Sequence, residues 1–325
     1  MISTAQIPAA PKPSRMKLSG VIKGKIAQPL RTVIYSAEGL GKTTFAADAP
    51  AVIFLPVENG TNHLNVQRFP VPETWQDILD AVSELTTADH DYKTLAVDTV
   101  DAAESLLWAA LCQRHNVPAL DDIGGGYGKG FAVALDEWRR FLVALERLQK
   151  TKGMNVLLLA HSWIKSFKNP IGPDWDRYEL KLNKQAAGLL KEWADDVLYC
   201  SLEEFGSKDE KTKRIKGVSS GARVIHTQRC ASFDAKNRNS LPEKLPLLWS
   251  DYEAAVQAGE VAPVAELRAE ILRKAATLGE EFVAKVAATV EKAGNNAQSL
   301  ALINNRVNAK ISEQDQTTNN EGVKQ

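Results

Sequence analysis

Net charge is the first thing this chain does without: Lys and Arg total 40, and Asp and Glu total 40. No global positive field draws in nucleic acid, so any contact with it must come from local clusters. Cysteine is scarce as well. Cys112, Cys200 and Cys230 lie far apart, and none has a second Cys or a His at metal-ligand spacing, which predicts buried reduced thiols. Long apolar runs are missing too. None approaches the roughly 20 residues of a membrane span, and no signal-peptide core follows Met1. A cytoplasmic location with no membrane contact is the expectation.

What is present is enough apolar material for a sizeable core: 44% of 325 residues are hydrophobic and 25% are charged. That length suits one large domain plus something small. Residues 1–18, with three prolines and no apolar period, read as a disordered leader. Residues 19–250 alternate short β-rich runs with helical patterns, the signature of an α/β core with a mostly parallel central sheet. Strands are expected at Thr32–Tyr35, Val52–Val57, Leu95–Asp98, Val156–Ala160, Asp196–Cys200 and Arg223–Thr227. One helical face carries Trp75, Ile78, Leu79, Val82 and Leu85, and another carries Phe131, Leu135, Trp138, Leu142, Leu145 and Leu148. From residue 251 to 311 Ala, Glu, Lys and Leu dominate without strand signals, so a small helical region is expected there. A disordered polar tail is expected over 312–325.

The sharpest motif follows the strand RTVIY: Ser36-Ala37-Glu38-Gly39-Leu40-Gly41-Lys42-Thr43, continuing to Thr44 and a helix. In a phosphate-binding loop, backbone N–H groups wrap the β-phosphate, and glycines allow the positive φ values that the wrap demands. Lys42 would reach the β- and γ-phosphates of ATP, and the Thr43 hydroxyl would ligate Mg2+. Ser36 stands where the usual pattern has its first glycine, which works if that residue keeps a negative φ.

Three further groups fit an ATPase. Asp98 ends the apolar strand of YKTLAVD, about fifty-five residues after the loop, and suits the acid that orders magnesium. Asp101 can assist it or cap the next helix. Glu58 ends the strand after the P-loop helix, where parallel strand ends converge on a ligand crevice, and so is placed to orient water. His161 ends NVLLLAH and can sense a γ-phosphate, neutral or charged near pH 7.

The segments SAEGLGKTTFA, PVENGTNHL, LAVDT, IGGGYGKGF, LLLAHS and FDAKNR, in this order, resemble the RecA-like P-loop ATPases. In particular they resemble a phage-encoded AAA-type group that includes the Sak-type single-strand annealing recombinases. The resemblance spans about Thr32 to Arg238. It implies a RecA-like fold, Glu58 as catalytic glutamate and His161 as the polar switch. It further implies that Lys236 and Arg238 complete a neighbour's site in trans, so a homo-oligomer with nucleotide at subunit interfaces is expected. Two segments fall where RecA-like proteins put their DNA loops. One is the glycine-rich run with Tyr127 and Lys129. The other runs from Ser162 to Lys184 and holds Trp163, Lys165, Lys168 and Arg177 among further aromatics. Cations interleaved with rings suit sequence-tolerant single-stranded DNA binding. The expected function is ATP-dependent action on single-stranded DNA in recombination or annealing. The alternative is an ATP-switched protein that loads or regulates a phage or host replication or recombination partner, which the neutral charge favours.

Overall fold

Runs such as VLLLA and TLAV have no polar face, so strands built from them need cover on both sides. The computed structural model supplies that cover. It describes residues 28–208 and 215–294, with 18, 21, 26, 299–300, 303–304, 306–308 and 310–311. The expected leader, apart from Leu18, and the expected tail lie outside the described residues.

The chain order is β1 (Arg31–Ser36), α1 (Lys42–Ala47), β2 (Val52–Pro56), β3 (Gln67–Arg68), α2 (Trp75–Thr87), β4 (Thr94–Asp98) and α3 (Val100–His115). Next come α4 (Lys129–Lys152), β5 (Asn155–Phe167), β6 (Trp175–Leu180), α5 (Lys184–Trp193), β7 (Asp196–Lys208) and β8 (Ile215–His226). The described elements close with β9 (Lys236–Asn237), β10 (Lys244–Pro246), α6 (Trp249–Ala276) and α7 (Glu280–Ala293). The sheet order is β10-β8-β7-β1-β5-β4-β2-β3, with β6 paired to β5 and β9 to β7. From β7 to β3 along that order every pairing is parallel, whereas β8 runs antiparallel to β7. This is the expected α/β core with a mostly parallel sheet.

Alternation along the strands divides the core in two. Val33 and Tyr35 of β1 face Trp75, Ile78, Leu107, Trp138 and Leu145 from α2, α3 and α4. Ile34 faces the other way, into a cluster with Phe45 of α1 and Trp249, Tyr252 and Val256 at the start of α6. The first turns of α6 are thus core material: Tyr252 is fully buried, and its hydroxyl meets Thr32 Oγ1 at 2.9 Å and Asp196 Oδ2 at 2.8 Å. Residues 28–260 form one compact unit. In a second unit, Ile271 and Ala275 pack with Val286 and Val290 of α7 and with Leu300, Ile303 and Val307.

Several expectations need correction. β5, β7 and β8 are longer than their apolar cores, because hairpin pairing extends a strand past the residues that burial selects. β3, β9 and β10 hold only two or three residues, too few to leave a period in the sequence. On α4 the buried stripe includes Phe141, while Phe131 and Leu135 are half-buried. Only Cys200 is a buried thiol: Cys112 is half-buried and Cys230 exposed. Among the described residues no helix is long and apolar enough to cross a membrane, and no His/Cys/Asp/Glu group could hold a metal ion on those side chains alone.

Candidate active site

β1 delivers the chain to Ser36, which is fully buried and keeps a negative φ, so no glycine is required there. Its hydroxyl donates to the Ala37 carbonyl at 2.7 Å and accepts from Lys42 Nζ at 3.0 Å. The loop then turns through Gly39 (φ 72°) and Gly41 (φ 105°), values that a side chain makes costly. Ala37, Glu38 and Thr44 are exposed, and Leu40 leans on the Phe45 side of the core. Lys42 is only 5% exposed. Burial lowers its pKa, opposed by the carboxylates of Asp98, Asp101 and Glu58.

The Thr43 hydroxyl donates to Asp98 Oδ2 at 2.7 Å. Asp98 ends β4 and is nearly buried; burial raises its pKa, while the Thr43 hydrogen bond and Lys42 pull it down. Two hard oxygen donors in contact, beside a buried ammonium, are the chemistry that a magnesium ion with a polyphosphate requires. The donor set therefore fits Mg2+, which Thr43 and Asp98 would hold and which would neutralise charge across phosphate oxygens. Gly60 lies alongside: a Cβ there would sit 3.7 Å from Asp98 Oδ2.

Glu58 follows β2, tied to β4 through backbone bonds from Val57 N and Glu58 N to the Asp98 carbonyl (2.7 and 3.3 Å). His161 is level with Ser36 in the β1–β5 register. Thus Ser36, Glu58, Asp98 and His161 gather at the carboxyl ends of four parallel strands, where α/β sheets bind ligands. His161 Nε2 lies 3.8 Å from Glu58 Oε1. On its other side Asp101 accepts from the His161 backbone N–H at 2.9 Å and meets Nδ1 at 2.8 Å. The sequence left Asp101 between assisting Asp98 and capping α3; the structure gives it a third task, orienting His161. The cap of α3 is instead Thr99, which follows a cis Asp98–Thr99 peptide.

Charge follows geometry here. Burial raises the Glu58 pKa, against the pull of His161. The Asp101 hydrogen bond raises that of His161, against burial. Burial pushes Asp101 up, but the bonds from His161 outweigh it and leave its pKa low. A raised histidine value means that the pair's stabilisation is full below the ordinary value near pH 6.5 and fades as pH climbs through the raised one. A depressed carboxylate value means that the same stabilisation is lost as pH falls through the low one. Asp101→Asn should therefore return the His161 pKa toward its ordinary value in an NMR titration of the imidazole. The destabilisation should be greatest between those limits, with hydrogen bonds to a charged group each contributing about 1.5–3 kcal/mol. An unmoved imidazole titration would remove Asp101 from this role.

The remaining expected site residues lie elsewhere. Lys236 lies away from this cluster: its ammonium donates to the carbonyls of Lys191, Glu192 and Ala194, capping the end of α5. Arg238 stays available, its side chain 56% exposed and paired with Asp195 at 3.2 Å. Tyr127 is 98% exposed, at the tip of a run in which residues 124 to 128 all have positive φ. Lys129 begins α4 and staples that loop by donating to the Gly124 carbonyl at 2.8 Å.

The expected second DNA loop is a β-hairpin. β5 continues past His161 and pairs antiparallel with β6, from Ser162↔Leu180 to Phe167↔Trp175. Phe167 and Trp175 pack at 5.0 Å. Arg177 is 5% exposed, stacked 5.1 Å over Phe167, and ion-paired with Glu179 and Asp234, so the fold turns it inward from the hairpin surface. Lys168 pairs with Asp174 in the turn. Trp163 remains exposed, with Lys165 Nζ 4.0 Å over its ring. One residue beside the loop carried no motif. Arg223 of β8 reaches Gly41, and only a strand alternation traced in three dimensions could have found it.

A phosphate loop, a hydroxyl–carboxylate pair and a strand-end glutamate on this sheet define a P-loop NTPase with an α/β core and a mostly parallel sheet. Residues 28–239 match the family described as "AAA domain", and the chain belongs to it. A curated protein of Bacillus subtilis (strain 168), "SPbeta prophage-derived uncharacterized protein YorG", is 26% identical over 189 residues. That match covers 56% of this chain and 53% of the relative, so the chain spans about half the relative's length. Among solved structures, "Crystal structure of the RadB recombinase" is similar at 15% identity and a TM-score of 0.34, covering 62% of this chain and 82% of that one.

Proposed function

We propose that this protein binds and hydrolyses ATP with magnesium, works as an oligomer, and acts on single-stranded DNA in phage-type recombination or annealing of the Sak type. The observation that carries the reading is the cluster at one sheet edge. There the Thr43–Asp98 contact, buried Lys42, Glu58 and the Asp101-held His161 surround one phosphate loop. The strand with His161 runs on unbroken into the hairpin bearing Trp163 and Lys165. A shift at the phosphate end therefore has a rigid path to the aromatic end. The relative from a prophage supports the phage setting.

The reading is tested by ATPase rate with and without single-stranded DNA, at two salt concentrations. DNA should stimulate turnover at low salt and less at high salt, because bound cations release counterions from the strand. Replacing Trp163 and Lys165 together (Trp163→Ala, Lys165→Gln) should weaken strand binding by about 1–3 kcal/mol for one lost stacked base. It should also reduce the salt slope by roughly 0.7 for one lost phosphate contact. Lys168→Gln, tied to Asp174, should change little. Unchanged affinity and slope in the double variant would favour the second reading, an ATP-switched protein that docks a replication or recombination partner. That reading draws on the hairpin's exposed Ile164 and Ile171, 62% and 94% accessible.

A further inference from the structure

Arg223 lies on β8, two residues before Ile225, which is buried in the same cluster as Phe45 of α1. Residues two apart on a strand share a face, so Arg223 points to the side of the sheet where the phosphate loop enters α1. Its position along β8 puts it beyond the covered part of that face. The strand runs antiparallel to β7, and Arg223 is opposite Leu202, past Tyr199 and Cys200 at the carboxyl end of the parallel sheet. The main chain is held there by Leu247 N donating to the Arg223 carbonyl at 2.9 Å. The side chain is exposed, and among the described residues no carboxylate pairs with it. It is nevertheless seated against the loop. A Cβ on Gly41 would lie 2.9 Å from Nη1, 3.7 Å from Cζ and 3.8 Å from Cδ of Arg223.

We propose that Arg223 is a phosphate-contacting residue in cis: its guanidinium binds the polyphosphate of the nucleotide held by its own chain's loop. A second cation beside the loop fits the chemistry. A triphosphate carries more negative charge than one buried ammonium and a divalent cation offset. The planar fork of an arginine can bind two phosphate oxygens at once, which an ammonium cannot. With no acidic partner among the described residues, the guanidinium can turn its donors to phosphate. The contact would bring the β7–β8 hairpin under the control of the bound nucleotide.

The proposal rests on the reading of residues 36–44 as a nucleotide site, so the test separates the two. Affinities for ATP and for inorganic tripolyphosphate are measured by calorimetry on the full chain and on its Lys42→Ala, Arg223→Ala and Arg223→Lys variants. Melting without ligand checks that each variant folds. If the unaltered protein binds neither ligand, the nucleotide-site reading fails. If it binds and Lys42→Ala does not, that reading stands and Arg223 is judged separately. Arg223→Ala should then lose about ten- to a hundred-fold in affinity for both ligands, the usual weight of a hydrogen bond to a charged group. Arg223→Lys should recover part of it. ATP affinity within two-fold of the unaltered chain would overturn the proposal. So would a loss for ATP with none for tripolyphosphate, since the guanidinium would then serve the nucleoside and not the phosphates.

Discussion

Arg238→Ala is expected to bind ATP almost as the unaltered protein does and to hydrolyse it about 10³–10⁵-fold more slowly, the usual weight of an arginine finger. The fold makes a trans role the available one. Arg238 pairs with Asp195, just before β7, and Asp195 also binds Arg31 at the start of β1. The phosphate loop leaves the other end of β1, five residues and roughly 17 Å along the strand. Arg238 cannot reach its own loop across that span, so any nucleotide it touches belongs to a neighbour. Lys236 donates to the α5 carbonyls, so Arg238 is the more accessible of the two cations. The check is mixing. Arg238→Ala subunits combined with Lys42→Ala subunits should regain part of the activity each lacks, because some interfaces then join an intact loop to an intact finger. Mixed assemblies that form and stay inactive at every ratio would end the trans role. Arg223 predicts the opposite in the same experiment. Since it serves the loop of its own chain, Arg223→Ala and Lys42→Ala subunits should not rescue each other.

Glu58→Gln should keep ATP bound and slow turnover by about 10²–10⁴-fold, the range for a lost general base. The carboxylate sits near Asp98 and within 3.8 Å of the His161 ring, on the side of that ring away from Asp101. Burial favours its protonated form, and His161 resists that. The amide keeps the size and much of the hydrogen bonding but cannot take a proton from water. ATP affinity should therefore hold while single-turnover hydrolysis collapses. Turnover near that of the unaltered chain would make Glu58 a loop residue and shift attention to Asp98 and Asp101. In the Asp101→Asn background the Glu58 effect should shrink, because the imidazole is no longer held against it. A double-mutant cycle on single-turnover rates measures that coupling.

Local chemistry and periodicity were legible in the sequence. Loop glycines next to a lysine and a threonine specify a phosphate wrap wherever they fold, because the requirement for positive φ at Gly39 and Gly41 is local. Apolar runs of five residues specify buried parallel strands, and an acid at such a run's end marks the sheet edge where Asp98, Glu58 and His161 meet. The rest depends on partners distant along the chain. Arg177 and Lys236 look alike in sequence to free cations. One is buried and paired with the distant Asp234 as well as with its strand neighbour Glu179; the other donates to the end of α5, more than forty residues earlier. Trp249 and Tyr252 begin a helix that composition divides from the core at residue 251, yet Phe45, some two hundred residues earlier, draws both into the core. Asp101 holds His161 across 60 residues. Arg223 meets Gly41 only because β8 turns back antiparallel beside β7. Charge and period are properties of a segment, but the pairing of a charge is a property of the fold.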